Sequence, residues 1–377
     1  MSEIIITEVK TKHQLKKFVD LPNKMYKDVP QFVPAFFGDD LDDWDHEKNP
    51  AFKYCEARAF LAYRDGQIVG RIGAILSHKS NETWNTKRMR FTQVDFIDDP
   101  EVSAKLFAVV EDWAREKGCN EVHGPLGFCD LDREGMLVEG YDKRGLFITY
   151  YNFPYYNEHL ERLGYTKDVD WVEYKIMVPK VGDRNYERLS RLSEMVLKRG
   201  NFHKGIAQKR SDYKPYVKKV FELVNSAYAN LYGVVKLRPE QIEKYSEKFI
   251  PLINPDYVCF VMDENDELAG FGVSCPSMEE ALKKSRGRLF PFGWMHILRS
   301  LKKNTVLDLL LIAVRPELQN KGVNAVIIDH IMHSCIKNGI QYAESGPQLE
   351  LNSKVLNQWK AFDIEKHKRR RCYIKSL

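Results

Sequence analysis

Residues 306–324 read VLDLLLIAVRPELQNKGVN, and this stretch decides the fold. Its first part, Val306–Val314, is apolar except for Asp308, which is typical of a buried strand. Its second part leads through Gly322 into apolar residues at helical spacing that stop at Gly339. Such a strand, loop and helix present the first free N–H groups of the helix to one place, where the helix dipole favours an anion. The stretch predicts an anion site suited to phosphate, with an ordinary strand-to-helix connection as the alternative.

Length and composition exclude several classes of protein. At 377 residues the chain exceeds what one core usually holds, so two domains are expected. The seven cysteines are scattered and never form a Cys-x-x-Cys pair, which favours a reducing compartment and argues against a zinc module. A net charge of +5 does not require nucleic acid, and no DNA partner is expected. Because the sequence shows neither a secretory signal nor an apolar run long enough to span a bilayer, we expect a cytoplasmic protein without integral membrane contact. No Walker or Gly-x-Gly-x-x-Gly pattern occurs, which argues against P-loop and dinucleotide-binding folds.

The chain contains two copies of one pattern. Gln67–Gly70 in a predicted hairpin corresponds to Glu267–Gly270, 200 residues later, and Gly124-Pro125 corresponds to Gly346-Pro347. The order and local chemistry of these blocks agree, which indicates an internal duplication. We therefore predict a first domain at 1–178, a linker at 179–212 and a second domain at 213–377.

The two copies differ at the anion loop. The second copy is longer here, and the extra residues fall at Leu318–Val323, within the predicted loop. The first copy instead carries Asp98, Asp99 and Glu101 before its helix, and carboxylates there would repel a phosphate. The sequence thus predicts that only the second copy holds a phosphorylated ligand.

These features together resemble the Gcn5-related N-acetyltransferase (GNAT) superfamily. The family loop is usually Gln/Arg-x-x-Gly-x-Gly/Ala, and here it stands as Gln319-Asn320-Lys321-Gly322-Val323-Asn324, with Asn324 where a small residue is usual. The resemblance covers 213–377 well and 1–178 more weakly. It implies an α/β protein with two tandem acyl-CoA N-acyltransferase-like domains, each a mixed, mostly antiparallel sheet flanked by helices.

The resemblance also implies a cofactor site. Acetyl-CoA or another acyl-CoA would bind through the loop and through the strand backbone at Ile312, Ala313 and Val314, and Asn352 matches an Asn that often contacts coenzyme A. The family usually places a Tyr general acid seven residues after that Asn, but here the position is Trp359, and an indole cannot usefully donate a proton.

Two carboxylates are candidates for the base that accepts the ammonium proton of an amine acceptor. Glu344 precedes Ser345-Gly346-Pro347, where the central strands would separate, and we favour it; Asp308 is the second candidate, with a partly exposed strand-end charge as the alternative interpretation. The predicted function is acyl transfer from acyl-CoA to a small amine or amino-acid-like acceptor. A non-catalytic binding protein of the same fold and an aminoacyl-tRNA-dependent transferase, for which tRNA would be a partner, remain as alternatives.

Three further segments are open to two interpretations each. The basic and aromatic insertion at 278–304 is typical of a segment that lies on an acidic membrane or covers an acyl chain, or of a solvated lid helix, which we favour. The run Lys366–Arg371 could contact phosphates through alternate side chains, or be hydrated. The acidic stretch 130–142 and the tyrosines after it would shape an acceptor pocket or be core. His330 and His333 are interpreted as structural, and no metal site is predicted.

Overall fold

A computed structural model describes residues 2–205, 209–352 and 358–377. The chain packs as two compact units, and neither is continuous in sequence. Unit 1 consists of Met1–Val172, Glu279–His296 and His367–Leu377, and unit 2 of Glu173–Met278 and Ile297–Lys366. Chain order and packing therefore differ, because two segments that follow the first copy in the chain pack into unit 1. The domain limits 1–178 and 213–377 remain a prediction about the duplicated segments.

Unit 1 is a twisted sheet with helices on its faces. In chain order its elements are β1 (Ile5–Glu8), α1 (Lys12–Met25), α2 (Phe37–Asp43), β2 (Cys55–Arg64), β3 (Gln67–Ser77), α3 (His78–Trp84), β4 (Arg88–Phe96), α4 (Pro100–Glu116), β5 (Glu121–Gly124), β6 (Met136–Glu139) and α5 (Tyr155–Arg162). The strand β7 (Thr166–Met177) contributes its first half to this unit.

Unit 2 repeats the pattern with different insertions. Its elements are α6 (Arg184–Arg199), β8 (His203–Lys204), α7 (Lys214–Ala227), α8 (Pro239–Phe249), β9 (Val258–Met262), β10 (Leu268–Pro276), β11 (Val306–Val314), α11 (Val323–Asn338), β12 (Tyr342–Ser345) and β13 (Gln348–Leu349). Between β10 and β11 lie α9 (Glu279–Ser285) and α10 (Gly293–Lys302), and the chain closes with β14 (Ile364–Ser376). From His367 onward that last strand belongs to unit 1.

Each unit has a mixed sheet that is mostly antiparallel. In unit 1 the order is β1-β2-β3-β4-β5-β14-β7, with β4 and β5 parallel and β14 antiparallel to β5. In unit 2 the order is β7-β12-β11-β10-β9-β8, with β11 and β12 parallel. The predicted fold class is confirmed, including the one parallel pair expected where each central helix connects two strands.

The strand registers support the internal duplication. Gly70 pairs with Phe96 in unit 1, and Gly270, its counterpart in the alignment, pairs with Val314 in unit 2. In both antiparallel strand pairs the register shifts by one residue within a few positions of that glycine. A register irregularity shortly after the aligned glycine in each copy agrees with an internal duplication.

A helix packs closely on a glycine in each unit. A Cβ atom at Gly70 would lie 2.7 Å from Leu106 of α4, and one at Gly272 would lie 2.3 Å from Ile327 of α11. Both helices carry apolar residues at i, i+4 spacing on the face they bury, which is why the 3.6-residue period predicted them. The glycines let the central helix approach the sheet, and the α11 contact sets the position of the loop before that helix.

Candidate functional site

The central strands of unit 2 separate at one point. β11 and β12 pair from Val306 to Leu309, and the N–H of Gly346 donates to the carbonyl of Leu309 at 3.1 Å. β12 ends at Ser345, whereas β11 continues to Val314 against β10. In the described part of the chain, no strand pairs with the other edge of β11 beyond this point. β11 and β12 thus stop pairing after Leu309, and this opening leaves the edge of β11 without a partner among the described strands.

A β-bulge sits at this opening. Val273 pairs with Leu311 and Ser274 pairs with Leu309, so Leu310 is an extra residue with no partner on β10. One extra residue inverts the alternation of side chains. Leu309 and Ile312 therefore both pack toward α11, whereas Leu311 and Ala313 pack with α7.

The two predicted catalytic carboxylates lie side by side. Asp308 pairs in register with Glu344, and in-register neighbours on parallel strands point to the same face. The next pairs along this row are Cys275 on β10 and Lys175 on β7. The side chains of Asp308 and Glu344 are 1% and 2% exposed, so the interpretation of Asp308 as a partly exposed strand end is wrong. Two buried carboxyl groups at the strand separation form a suitable acceptor for a proton.

The predicted anion loop has the geometry expected of a helix N-terminus. Gly322 is the N-cap of α11 with a φ of 86°, and Asn320 also has a positive φ, of 64°. The first N–H groups of an α-helix have no intrahelical partner, which leaves those of Val323 and Asn324 available at this end. Both loop residues Gln319 and Asn324 are half-buried, while Asn320 and Lys321 are exposed.

The structure shows two constraints on position 322. Gly322 has a left-handed φ of 86°. A Cβ atom there would lie 2.6 Å from Cγ2 of Val196 on α6. Glycine is therefore required by its left-handed φ and by the close packing of α6.

The corresponding helix end in unit 1 is already occupied. The carboxylate of Asp99 accepts hydrogen bonds from the N–H groups of Glu101 at 2.8 Å and Val102 at 3.4 Å. Arg64 donates to the same side chain at 2.7 Å, and this pairing, with the backbone N–H groups, lowers the pKa of Asp99. A phosphate at this N-terminus would have to displace a paired carboxylate, which supports the predicted difference between the copies.

The strand predicted to bind pantetheine has a tyrosine at its edge. The hydroxyl of Tyr228, just after α7, donates to the carbonyl of Ile312 at 2.8 Å. Ala313 is buried, and Ile312 and Val314 are half-buried. Tyr228 was not a sequence candidate, because nothing local in its sequence links the end of α7 to β11.

The remaining predicted cofactor and acid positions are only partly described. Asn352 is half-buried and follows β13, and residues 353–357 after it lie outside the described ranges. Trp359 is 3% exposed, packs with Ile328 and Met332, and donates from Nε1 to Oε1 of Gln348 at 3.1 Å. Trp359 is thus a core residue on the α11 side of the sheet, away from the face that carries the carboxylates.

Four residues of the basic run near the C-terminus, Lys368–Arg371, make internal contacts in unit 1. Arg369 and Arg371 both bind Asp170, at 3.0 and 2.9 Å. Arg370 is 1% exposed, and Lys368 donates to a backbone carbonyl at 2.8 Å. Both sequence interpretations of this run, as a hydrated segment or as a phosphate contact, are wrong for these four residues, so the run no longer favours an RNA partner.

Two other groups in unit 1 do not form a convincing site. A cavity beside Arg71, Asp95 and Arg133 has a volume of about 30 Å³, which holds one or two water molecules. His123, Asp168 and Cys372 place their ligand atoms within 4.8 Å of one another. Arg88 contacts Asp168 at 3.4 Å, and burial, together with Arg90 and Arg88, lowers the pKa of His123 to about 4. This positive surrounding disfavours a metal cation.

Two of the tyrosines after the acidic stretch, Tyr155 and Tyr156, belong to the core of unit 1, whereas Tyr150 and Tyr151 line the small cavity described above. Tyr156 is fully buried and stacks on Phe96 with ring centroids 4.3 Å apart, and its hydroxyl contacts that of Tyr26 at 2.8 Å. Tyr155 donates to the Phe96 carbonyl at 2.6 Å. Tyr155 and Tyr156 are thus part of the hydrophobic core, as one of the two interpretations held.

Among the described helices, none combines the length and the apolar composition that a membrane span requires.

Comparisons with known proteins agree with this geometry. The family model described as "Acetyltransferase (GNAT) family" matches residues 218–355. Protein YghO of Escherichia coli (strain K12) is 28% identical over 374 residues, covering 97% of this chain and 94% of that protein. The "Bacterial ceramide synthase" of Caulobacter vibrioides (strain NA1000 / CB15N) is 28% identical over 305 residues, covering 80% of this chain and 77% of that protein.

Solved structures share the fold over the whole chain. A tandem GNAT protein from the clavulanic acid biosynthesis pathway superposes with a TM-score of 0.57 at 11% identity, covering 99% of this chain and 98% of that one. A GCN5-related N-acetyltransferase from Sphaerobacter thermophilus gives 0.51 at 8% identity, covering 99% and 95%. Residues 218–355 thus match the acetyltransferase (GNAT) family, and the whole chain shares the fold of tandem GNAT proteins.

Proposed function

We propose that this protein is an acyl-CoA-dependent N-acyltransferase that uses unit 2 as its cofactor site. The observation that carries the proposal is the opening between β11 and β12, with Asp308 and Glu344 at its closed end. The diphosphate of acyl-CoA binds the N–H groups at the start of α11, and the pantetheine arm lies along Ile312–Val314. This arrangement brings the thioester carbonyl toward the carboxylates.

The proposed chemistry uses two proton transfers. The acceptor amine attacks the thioester carbonyl, and its proton passes to Glu344, with Asp308 as its neighbour in the row. The carbon–sulfur bond then breaks, and the departing thiolate takes a proton. Tyr228 supplies a hydroxyl at this edge, so we assign it the general-acid role that Trp359 cannot perform. Coenzyme A and an amide are the products.

The name of one relative suggests which acceptors to test. A ceramide is an N-acyl amide, and the relative from Caulobacter is named a ceramide synthase. An acyl chain longer than acetyl and a lipid-like amine are therefore to be tested beside acetyl-CoA and small amino acids. The non-catalytic alternative predicts coenzyme A binding with no thiol release in any of these mixtures.

A charge placed in the loop tests the cofactor site. Asn324→Asp puts a carboxylate in the first turn of α11, and Asn185→Asp makes the same change in the first turn of α6. Each should leave stability unchanged or raise it by about 0.3–1 kcal/mol through the helix dipole. Only Asn324→Asp should weaken coenzyme A binding, by about tenfold or more, because its charge faces the diphosphate. Equal affinities in both variants, measured by calorimetry, would place the diphosphate elsewhere.

A second experiment tests the chemistry. Free thiol is measured with acetyl-CoA and a long-chain acyl-CoA against candidate amines. Glu344→Gln should lower kcat/KM by about 10²–10⁴-fold and leave coenzyme A affinity unchanged. Asp329→Asn removes a buried carboxylate from α11, on the other side of the sheet, and should leave kcat/KM within a small factor of that of the original protein. If Glu344→Gln retains full activity, Glu344 is not the base.

A further inference from the structure

The segment between β10 and β11 displays an unusual set of exposed apolar side chains. We define the aromatic tip as residues 289–295. Five large apolar residues of the tip are exposed, Phe290 by 79% and Phe292 by 67%, with Leu289, Trp294 and Met295 between 44% and 52%. Elsewhere in the described ranges, exposed large apolar residues occur singly or a few positions apart on one helix. A contiguous exposed apolar patch marks an interaction surface.

The base of this segment is firmly attached within unit 1. The N–H of Phe37 donates to the carbonyl of Gly287 at 2.9 Å, and Arg288 binds Asp20 at 2.7 Å while lying 4.3 Å over the Phe37 ring. Arg144 binds Glu279 at 2.5 Å at the start of α9. The insertion is therefore anchored at its base, and the tip begins immediately after the anchor.

Hydrogen bonds within the aromatic tip fix the conformation of its backbone. The N–H of Trp294 donates to the carbonyl of Leu289 at 2.9 Å, and the indole Nε1 donates to the carbonyl of Pro291 at 3.1 Å. The N–H of Met295 donates to the carbonyl of Phe292 at 3.1 Å. These bonds fix the backbone of the turn and the Trp294 ring, and Phe290 and Phe292 remain largely exposed to solvent.

The charge around the tip has one sign. No Asp or Glu occurs between Glu280 and Asp308, whereas the same stretch contains seven Lys and Arg residues. Lys284 and Arg286, just before the tip, are exposed. An aromatic surface whose flanking sequence carries only basic charged residues matches the interface of a bilayer, where aromatic rings sit at headgroup level and cations meet anionic lipid.

We propose that the aromatic tip docks this protein peripherally on anionic membranes. Phe290 and Phe292 enter the boundary between headgroups and acyl chains, and Lys284 and Arg286 contact the lipid phosphates. This docking is independent of the acyl-transfer proposal, because it concerns a surface of unit 1 and does not require any turnover. The proposal thus adopts the membrane interpretation of residues 278–304 instead of the solvated lid helix.

Vesicle cosedimentation tests the proposal. The full-length protein is mixed with vesicles of phosphatidylglycerol and phosphatidylcholine, or of phosphatidylcholine alone. We expect binding to the anionic vesicles that weakens with salt, and at least about tenfold weaker binding for Phe290→Ser/Phe292→Ser. Trp84→Ser, which removes a lone exposed aromatic residue of α3, is the matched control and should bind normally. Far-UV circular dichroism of each variant establishes that it is folded.

The contribution of charge is tested separately. Lys284→Gln/Arg286→Gln should lose most of the preference for anionic vesicles, whereas Lys12→Gln/Lys16→Gln, which removes two exposed charges from α1, should keep it. Brominated lipid should quench Trp fluorescence in the original protein and less so in Trp294→Phe.

Three results would overturn the membrane proposal. The first is no binding of the original protein to anionic vesicles, and the second is equal binding by the variant that lacks both phenylalanines. The third is a concentration-dependent dimer without lipid that this variant abolishes, which would assign the tip to contact between two copies. Activity is not measured in these experiments, so their failure would leave the acyl-transfer proposal untouched.

Discussion

The two glycines at the ends of α11 offer a sharp test of the loop geometry. Gly322 precedes the helix with a φ of 86°, and Gly339 follows it with a φ of 71°. A Cβ atom at Gly322 would lie 2.6 Å from Val196, whereas one at Gly339 would meet nothing within 4 Å. The same substitution, Gly→Ala, therefore imposes similar backbone strain at both ends but a steric clash at only one.

The expected losses of stability follow from these contacts. A left-handed conformation costs an L-residue about 1–2 kcal/mol, which is the whole expected effect of Gly339→Ala. Gly322→Ala adds an overpacking cost of about 1–3 kcal/mol, for a total of about 2–5 kcal/mol. Val196→Ala removes the methyl group that clashes, so the double variant Gly322→Ala/Val196→Ala should recover most of the added cost.

Urea unfolding of the original protein, the three single variants and the double variant, followed by calorimetric titration with coenzyme A, measures both consequences. The loop must keep its path for the N–H groups of α11 to face the diphosphate. Gly322→Ala should therefore weaken coenzyme A binding, and Gly339→Ala should not. If Gly322→Ala destabilises no more than Gly339→Ala, or if Val196→Ala adds its own cost without any rescue, then α6 does not pack on this loop and the reasoning fails.

Three further outcomes are expected. Burial alone would raise the pKa of Asp170, but hydrogen bonds from Arg371 and Lys167 more than offset this and hold it at about 2, below its value in an unfolded chain. This ion cluster therefore stabilises the protein fully above about pH 4 and by less as pH falls toward 2. The free energy of unfolding should fall by about 2 kcal/mol over this range. In Asp170→Asn, an acid titration followed by unfolding should lack this fall. Asp99→Ala should lower stability by about 1 kcal/mol through loss of the α4 N-cap in urea unfolding, and no change would show that Asp99 does not cap the helix. Trp359→Phe should lower stability by about 1 kcal/mol because the bond to Gln348 is lost, and should leave the pH profile of kcat unchanged; a shifted profile would return Trp359 to the site.

Local pattern alone identified the elements of the anion loop. The apolar run 306–314, the glycine at 322 and the helical spacing after it correspond to β11, the N-cap and α11. The acidic residues before α4 likewise indicated that the first copy lacks this site, and Asp99 does cap that helix. These features are local because periodicity, turn residues and caps act over a few positions along the chain.

Pairing between strands that are distant in sequence sets the positions of the candidate catalytic groups, and no local sequence pattern indicates this pairing. The bulge at Leu310 lies in a run of leucines that gives no sign of it. Because of this extra residue, the side chains of Asp308 and Leu311 lie on the same face of the sheet. The register of β11 with β12 sets Asp308 beside Glu344, and the end of α7 brings Tyr228 to the same strand. The sequence could name the two carboxylates as candidates but could not show that they are neighbours.

What the sequence determined by itself is the set of elements, their duplication and the chemical difference between the two anion loops. Tertiary structure alone decided that 279–296 and the last strand from His367 onward pack into unit 1, and that Arg369 and Arg371 pair with Asp170. The physical reason is that helices, turns and caps are selected by nearby residues, whereas burial and ion pairing depend on which distant segments meet. A run of arginines has the same sequence whether it is exposed to solvent or buried, and only its contacts with distant residues distinguish the two cases.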